Sequence, residues 1–117
     1  MKLTFEKDAI LNGLNIVSKA IPSKTTMSIL ECILVDASAG EIKFTANDTE
    51  MGIETKVTGM ILEKGKIALE AKLFYEIVRK LSTEDAAITI ESDERFNTTI
   101  SFGSSVFNIP GRDDEPF

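Results

Sequence analysis

The sequence contains no histidine and a single cysteine, Cys32. One cysteine excludes an intrachain disulfide. Without histidine, the commonest general base and metal ligand is missing, and a thiolate lacks the imidazole that would activate it. Cys32 stands in an apolar run, Cys32-Ile33-Leu34-Val35, and reads as a small buried hydrophobe. Catalysis would fall to carboxylates or lysines in a deep pocket, and no such cluster is visible. No phosphate-cradling glycine loop and no nucleophile elbow occur. Asp48 and Glu50 are two carboxylates without further ligands or a calcium loop, so they read as turn and strand-surface residues. The expectation is a protein with no catalytic residue, no metal and no cofactor.

Long apolar runs are missing too. None approaches the ~20 residues that span a bilayer, and the opening Met1-Lys2-Leu3-Thr4-Phe5-Glu6 lacks a signal-peptide core. A cytoplasmic protein away from membranes is expected. Positive charge is in the minority: 13 Lys and Arg stand against 19 Asp and Glu, a net −6. A simple nucleic-acid binder is usually basic. DNA binding therefore requires that the cations gather on one face, because local potential matters more than the sum.

What is present is enough for one domain. The 117 residues, 43% hydrophobic and 27% charged, can bury a core unaided. Their order repeats. Leu3 to Phe5 read as a short strand, and Ile10, Leu14, Val17 and Ile21, with Leu11 beside them, follow at helical spacing. Ile21-Pro22 stops that helix. Three strands are expected next: Ile29 to Ala37, one with Ile42, Phe44 and Ala46 on one face, and one with Met51, Ile53, Thr55 and Val57. Glu63-Lys64-Gly65 closes the unit. The pattern then recurs: a strand with Ile67 and Leu69, a helix with Leu73, Phe74, Ile77, Val78 and Leu81, and three strands ending at Pro110-Gly111. The pseudo-repeats span 1–62 and 63–112. Two helices against eight antiparallel strands make an α+β fold, a duplicated βαβββ unit with the helices side by side on one side of the sheets.

Four segments carry a resemblance: Met1-Lys2-Leu3-Thr4-Phe5, the loop Ser23-Lys24-Thr25-Thr26-Met27-Ser28-Ile29-Leu30, Phe44-Thr45-Ala46-Asn47-Asp48-Thr49-Glu50-Met51, and Ala71 to Leu81. In order and spacing they resemble the N-terminal domain of the bacterial DNA polymerase III beta subunit, over the whole chain. The resemblance implies the DNA-clamp fold, with three such domains per protomer and two protomers closed head to tail into a ring. Helices line the hole and sheets form the wall. The ring slides on duplex DNA without reading its sequence, and holds the polymerase III catalytic subunit after a clamp loader has placed it. Residues 113–117 would begin the linker to a second domain absent here. The 117-residue chain alone is then expected to be monomeric and to bind DNA weakly or not at all.

The resemblance also assigns residues. Lys24, Lys72, Arg79 and Lys80 would face DNA; Lys7 and Lys19 are weaker candidates. The plainer alternative for the helix residues is a solvated face in which Lys72–Glu76 and Glu76–Lys80 pairs support the helix by ~0.2–0.5 kcal/mol each. Lysines beside phosphates attract without fixing a register, as sliding requires, and no aromatic-basic interleaving of the single-strand type is present. Ile77, Phe107 and Ile109 match apolar protomer-interface positions, with the last strand, Ser105 to Ile109, as a sheet edge; the alternative places all three in this domain's own core. Ser104 and Ser105 stand where the family often has basic residues. Two other functions compete: an interaction module of the same fold without DNA, marked by basic residues on both faces, and, well behind, a small enzyme.

Overall fold

The computed structural model describes residues 1–21, 31–47, 52–80 and 87–113. Strand β1 (Lys2–Phe5) buries Leu3 and Phe5 by simple alternation. Helix α1 (Lys7–Val17) buries Ile10, Gly13, Leu14 and Val17, and a 3-10 turn, Ser18–Ala20, ends it. Ile21 is already extended, as a residue before proline must be. Then come β2 (Cys32–Asp36), β3 (Lys43–Asn47), β4 (Gly52–Lys56), β5 (Met60–Glu63) and β6 (Lys66–Glu70). Helix α2 (Ala71–Lys80) buries Ala71, Phe74, Ile77 and Val78. Strands β7 (Ile88–Ser92), β8 (Asn97–Phe102) and β9 (Ser105–Arg112) complete the order.

All pairings are antiparallel, in the spatial order β4-β3-β2-β6-β9-β8-β7-β1-β5. The two helices lie against each other and against the inner faces of these strands, within one shared core. Phe44 is its hinge point. Its ring meets Phe5 edge-on at 5.9 Å and Phe74 at 5.8 Å, which ties β1, β3 and α2 together. Gly13 brings α1 down onto this cluster: a Cβ there would stand 2.6 Å from Val57 Cγ2 and 3.2 Å from Phe44 Cδ2.

Two expectations need correction. The strands among the described residues number nine, not eight. The extra one, β5, pairs with β1 along the sheet margin. Its run Met60-Ile61-Leu62 does not alternate in hydropathy: Ile61 packs inward while Met60 and Leu62 are 63% and 51% exposed. Period-2 reasoning had nothing to catch. Secondly, Pro110-Gly111 does not end the last strand. β9 runs on to Arg112, pairing with β8 through Pro110 and with β6 through Gly111 and Arg112. The Gly111 N–H donates to the Phe96 carbonyl at 2.9 Å. Ladder alternation then turns the nitrogen of Pro110 away from β8, so its missing N–H breaks no bond there.

The duplication explains both corrections. Val57 N–H donates to the Ile42 carbonyl at 2.9 Å, the same step that Gly111 makes on Phe96. In the second half the strand passes directly from β8 to β6. In the first half the passage from β3 to β1 takes in Val57, Thr58 and Gly59, and splits the strand into β4 and β5.

Candidate nucleic-acid interface

The solvent side of the helix pair is built from two stripes. On α1 and its 3-10 turn, Asp8, Asn12, Asn15 and Lys19 are exposed, at helical spacing. On α2 the exposed residues are Lys72, Glu76, Arg79 and Lys80. A hydrogen bond joins the stripes: the Tyr75 hydroxyl donates to Asn15 Oδ1 at 2.9 Å. Beneath it, Ser18, Ile21, Ala71, Lys72, Tyr75, Glu76 and Arg79 line an open hollow of about 430 Å³. Arg79 and Lys80 fall in the last turn of α2, where cations favour the helix dipole.

Charge is segregated. The helices and the turn carry five basic residues (Lys7, Lys19, Lys72, Arg79, Lys80) and two acidic ones (Asp8, Glu76), an excess of three positive charges. With −6 overall, the rest of the chain carries −9. On the sheet side two lysines are matched: Lys43 meets Glu54 at 3.3 Å and Lys56 meets Glu41 at 3.4 Å. The helix-supporting pairs Lys72–Glu76 and Glu76–Lys80 do not form, since neither lysine makes an ion pair among the described residues.

Among the described residues β4 and β5 are the outer strands of the sheet, and β9 is open along its first part. Along β4, the register that pairs Val57 with Ile42 turns the backbone groups of Glu54 and Lys56 outward. Along the first part of β9, where only β8 is paired, Val106 and Asn108 present theirs.

These features sit on a fold that is known. The family profile described as DNA polymerase III beta subunit, N-terminal domain, matches residues 1–117. The chain belongs to this family. It is 34% identical to the beta sliding clamp of Halalkalibacterium halodurans over 125 aligned positions, which cover all of this chain and 32% of that protein. A crystal structure of a DNA polymerase III beta subunit from Eubacterium rectale is 57% identical, with a TM-score of 0.96, again over the whole chain and 32% of the other. The DNA polymerase sliding clamp of Bacillus subtilis is 34% identical at a TM-score of 0.92. The chain thus spans about a third of the length of the relatives it matches.

Within this beta-subunit domain, the residues singled out from sequence fall into three groups. Lys24 lies outside the described residues, as do Asp48, Glu50 and Leu81. Lys72, Arg79 and Lys80 are exposed on one helix; Lys19 is exposed on the turn, and Lys7 is half-buried. Of the apolar three, Phe107 is half-buried against the core, while Ile77 and Ile109 are 5% and 1% exposed. The last two are core residues and offer a partner almost no surface. Val106, which the sequence reading does not single out, is 63% exposed on the opposite face of the same strand. Alternation with Phe107 was the available signal.

Cys32 is buried, and burial pushes its thiol up, against the opposing pull of the Arg112 guanidinium and its hydrogen bond. A thiol held neutral is not a nucleophile. Among the described residues no three of His, Cys, Asp and Glu come together, and no helix is long and apolar enough to cross a membrane.

Proposed function

We propose that the domain is one third of a DNA sliding-clamp protomer, a non-catalytic processivity factor whose ring encircles duplex DNA and tethers the replicative polymerase. One observation carries the reading: in a chain of net −6, the two helices and their 3-10 turn carry an excess of three positive charges. A ring of such domains would present a positive lining inside a negative wall. That lining attracts phosphates without contacting bases, which permits sliding, and the outer charge keeps DNA from adhering elsewhere. Lys72, Arg79 and Lys80, together with Lys24, would supply the attraction.

The open margins support the assembly. An unpaired strand edge that is neither short nor shielded invites another chain. Antiparallel addition at β9, with Val106 and Phe107 beside the ladder, fits a head-to-tail contact with a second protomer; addition at β4 fits the next domain of the same protomer. The partners are then duplex DNA, a second copy of the full-length protein, the polymerase III catalytic subunit and a clamp loader. The chain divides into pseudo-repeats 1–62 and 63–112, with 113–117 leading to a second domain.

The first test is the mass of the native gene product in extract, read with an antibody against this domain. The clamp reading expects a band near three times 12.8 kDa. The second test places that product on closed circular duplex and then linearises the circle. A ring stays on the circle through gel filtration and is lost from the linear form. A 12.8 kDa product, or equal retention on both forms, would favour an interaction module without DNA.

A further inference from the structure

The α1 stripe is unlike the α2 stripe. Its central exposed residues, Asn12 and Asn15, are amides, and its two charges, Asp8 and Lys19, cancel. If the helix side faces phosphates, α2 contributes charge and α1 contributes little, unless its amides act.

Asn15 is the one placed to do so. Its Oδ1 is occupied by the Tyr75 hydroxyl at 2.9 Å, across two helices and 60 residues of sequence. Its backbone carbonyl also receives the Ser18 hydroxyl at 3.1 Å. With the amide oxygen turned to Tyr75, the Nδ2 group and its two hydrogens turn the other way. Nothing among the described residues accepts from it. An amide whose acceptor end is tied down and whose donor end is open is oriented for an acceptor from outside. Lys72 and Arg79 line the hollow beside Tyr75 with one carboxylate, Glu76, so the balance of charge favours an anionic one.

We propose that Asn15, oriented by Tyr75, donates an uncharged hydrogen bond to a phosphate of the DNA backbone. Asparagine side chains are ordinary backbone-positioning donors in protein–DNA contacts and carry no sequence information from that position. The proposal rests on the helix side facing DNA, as read above, and adds a contact of a different physical kind. A lysine at a phosphate displaces counterions and therefore weakens with salt; an amide displaces none. Two kinds of contact leave two signatures. Tyr75 is a positioning residue here, because it acts through Asn15.

The experiment titrates the isotopically labelled 117-residue chain with a short duplex of arbitrary sequence at low salt, where weak binding is visible by NMR. The Asn15 side-chain amide is followed beside the backbone amides of Lys72 and Arg79. All three are expected to shift and saturate together. Asn15→Ala should weaken binding by about fivefold, the worth of one modest hydrogen bond, and leave the slope of log affinity against log salt unchanged. Lys72→Ala should reduce that slope by about 0.9. Tyr75→Phe, which frees the amide to rotate, should weaken binding by less than Asn15→Ala, again with no change of slope. Folding is not at risk at Asn15, since Ala is the better residue at an exposed helix position. Shifts at Lys72 and Arg79 with a silent Asn15, or an Asn15→Ala chain that binds as the parent does, overturn the proposal and leave the helix-side reading standing. Silence at all three with duplex in large excess, followed by full-length gene product whose retention on closed circular duplex survives Lys72→Glu with Arg79→Glu, overturns both.

Discussion

Gly111 is where β9 crosses from β8 to β6, and replacing it by alanine tests whether that crossing is as tight as the geometry implies. A Cβ at this position would lie 2.5 Å from the Phe96 carbonyl oxygen and 2.5 Å from Ile67 Cδ1. Ile67 is fully buried and its Cγ1 lies at 2.8 Å as well, so that side chain must also shift. The carbonyl cannot do so freely, because it accepts the Gly111 N–H at 2.9 Å. An ordinary carbon–oxygen contact needs roughly 3.3 Å, so the two strands must part by about 0.8 Å at the junction. Overpacking of this kind costs about 1–3 kcal/mol, and the strained hydrogen bond adds up to about 1 kcal/mol. Loss of glycine's freedom in the unfolded chain offsets about 0.4–1 kcal/mol. The expected net destabilisation is about 2 kcal/mol, within about 0–3.6, read as a fall of about 1 M or more in the urea midpoint. The control is Gly40→Ala. Its φ is +84°, with no atom within 4 Å of a new Cβ, so only backbone strain of about 1–2 kcal/mol remains, less the same unfolded-chain offset. If Gly111→Ala unfolds no earlier than Gly40→Ala, the crossing is looser than described and the account of the β9 margin fails with it.

Other outcomes follow from the same geometry. Phe44→Ala removes the ring shared by Phe5 and Phe74 and should cost about 3–5 kcal/mol in urea unfolding; a loss below about 1 kcal/mol would mean that the aromatic cluster does not organise the core. Lys72→Glu with Arg79→Glu should abolish duplex association at low salt while the Tm stays within a few degrees, and unchanged association would remove the helix side as the DNA face. Val106→Asp in the full-length gene product should weaken its self-association, read by sedimentation at falling concentration, and leave this domain's urea midpoint unaltered; a lower midpoint with intact self-association would put Val106 in the core instead. For Asp36, burial pushes the carboxyl up, but the Ser38 hydroxyl and N–H, at 2.7 and 2.9 Å, with Lys66 and Lys43 nearby, outweigh it and hold the group below its ordinary value of 3.8. A lowered folded value means stability that is present above pH 3.8 and lost as the pH falls through the folded value. Asp36→Asn should therefore destabilise at neutral pH, with the gap closing in acid; a gap that is flat down to pH 2 would contradict the linkage.

Helices, buried faces and the duplication were legible because they depend on near neighbours. The stripe Leu73, Phe74, Ile77, Val78 is a local pattern, and α2 follows from it. Ile42, Phe44 and Ala46 alternate over five residues, and all three are buried. β5 was not legible, because Met60 and Leu62 are apolar yet exposed and so erase the alternation that marks a strand. The end of β9 was misread for the opposite reason. Pro110-Gly111 is a strong local stop signal. It is overridden by a pairing with β6, some 40 residues earlier, that no local pattern reveals. Phe96 is a third case: a bulky residue at φ +66°, held there by a turn in which Asp93 Oδ1 accepts from the N–H groups of Arg95 and Asn97 at 2.8 and 3.0 Å. Only the folded turn shows why that backbone is tolerated.

The site divides along the same line. Which cations share α2 follows from helical spacing, so Lys72 and Arg79 could be placed together before any fold was known. Which apolar residues of the last strand meet a partner does not, because Phe107 and Ile109 alternate with Val106 and alternation alone cannot say which face is covered. The helices pack against the inner face, which takes Ile109 into the core and leaves Val106 outside. What a partner strand would find at β9 is chiefly the backbone of Val106 and Asn108, flanked by one exposed and one half-buried side chain. Such an edge specifies its partner through register and shape more than through a large apolar patch. Beneath that edge Ile109 is held in the core, so the face toward the helices is not available to a partner.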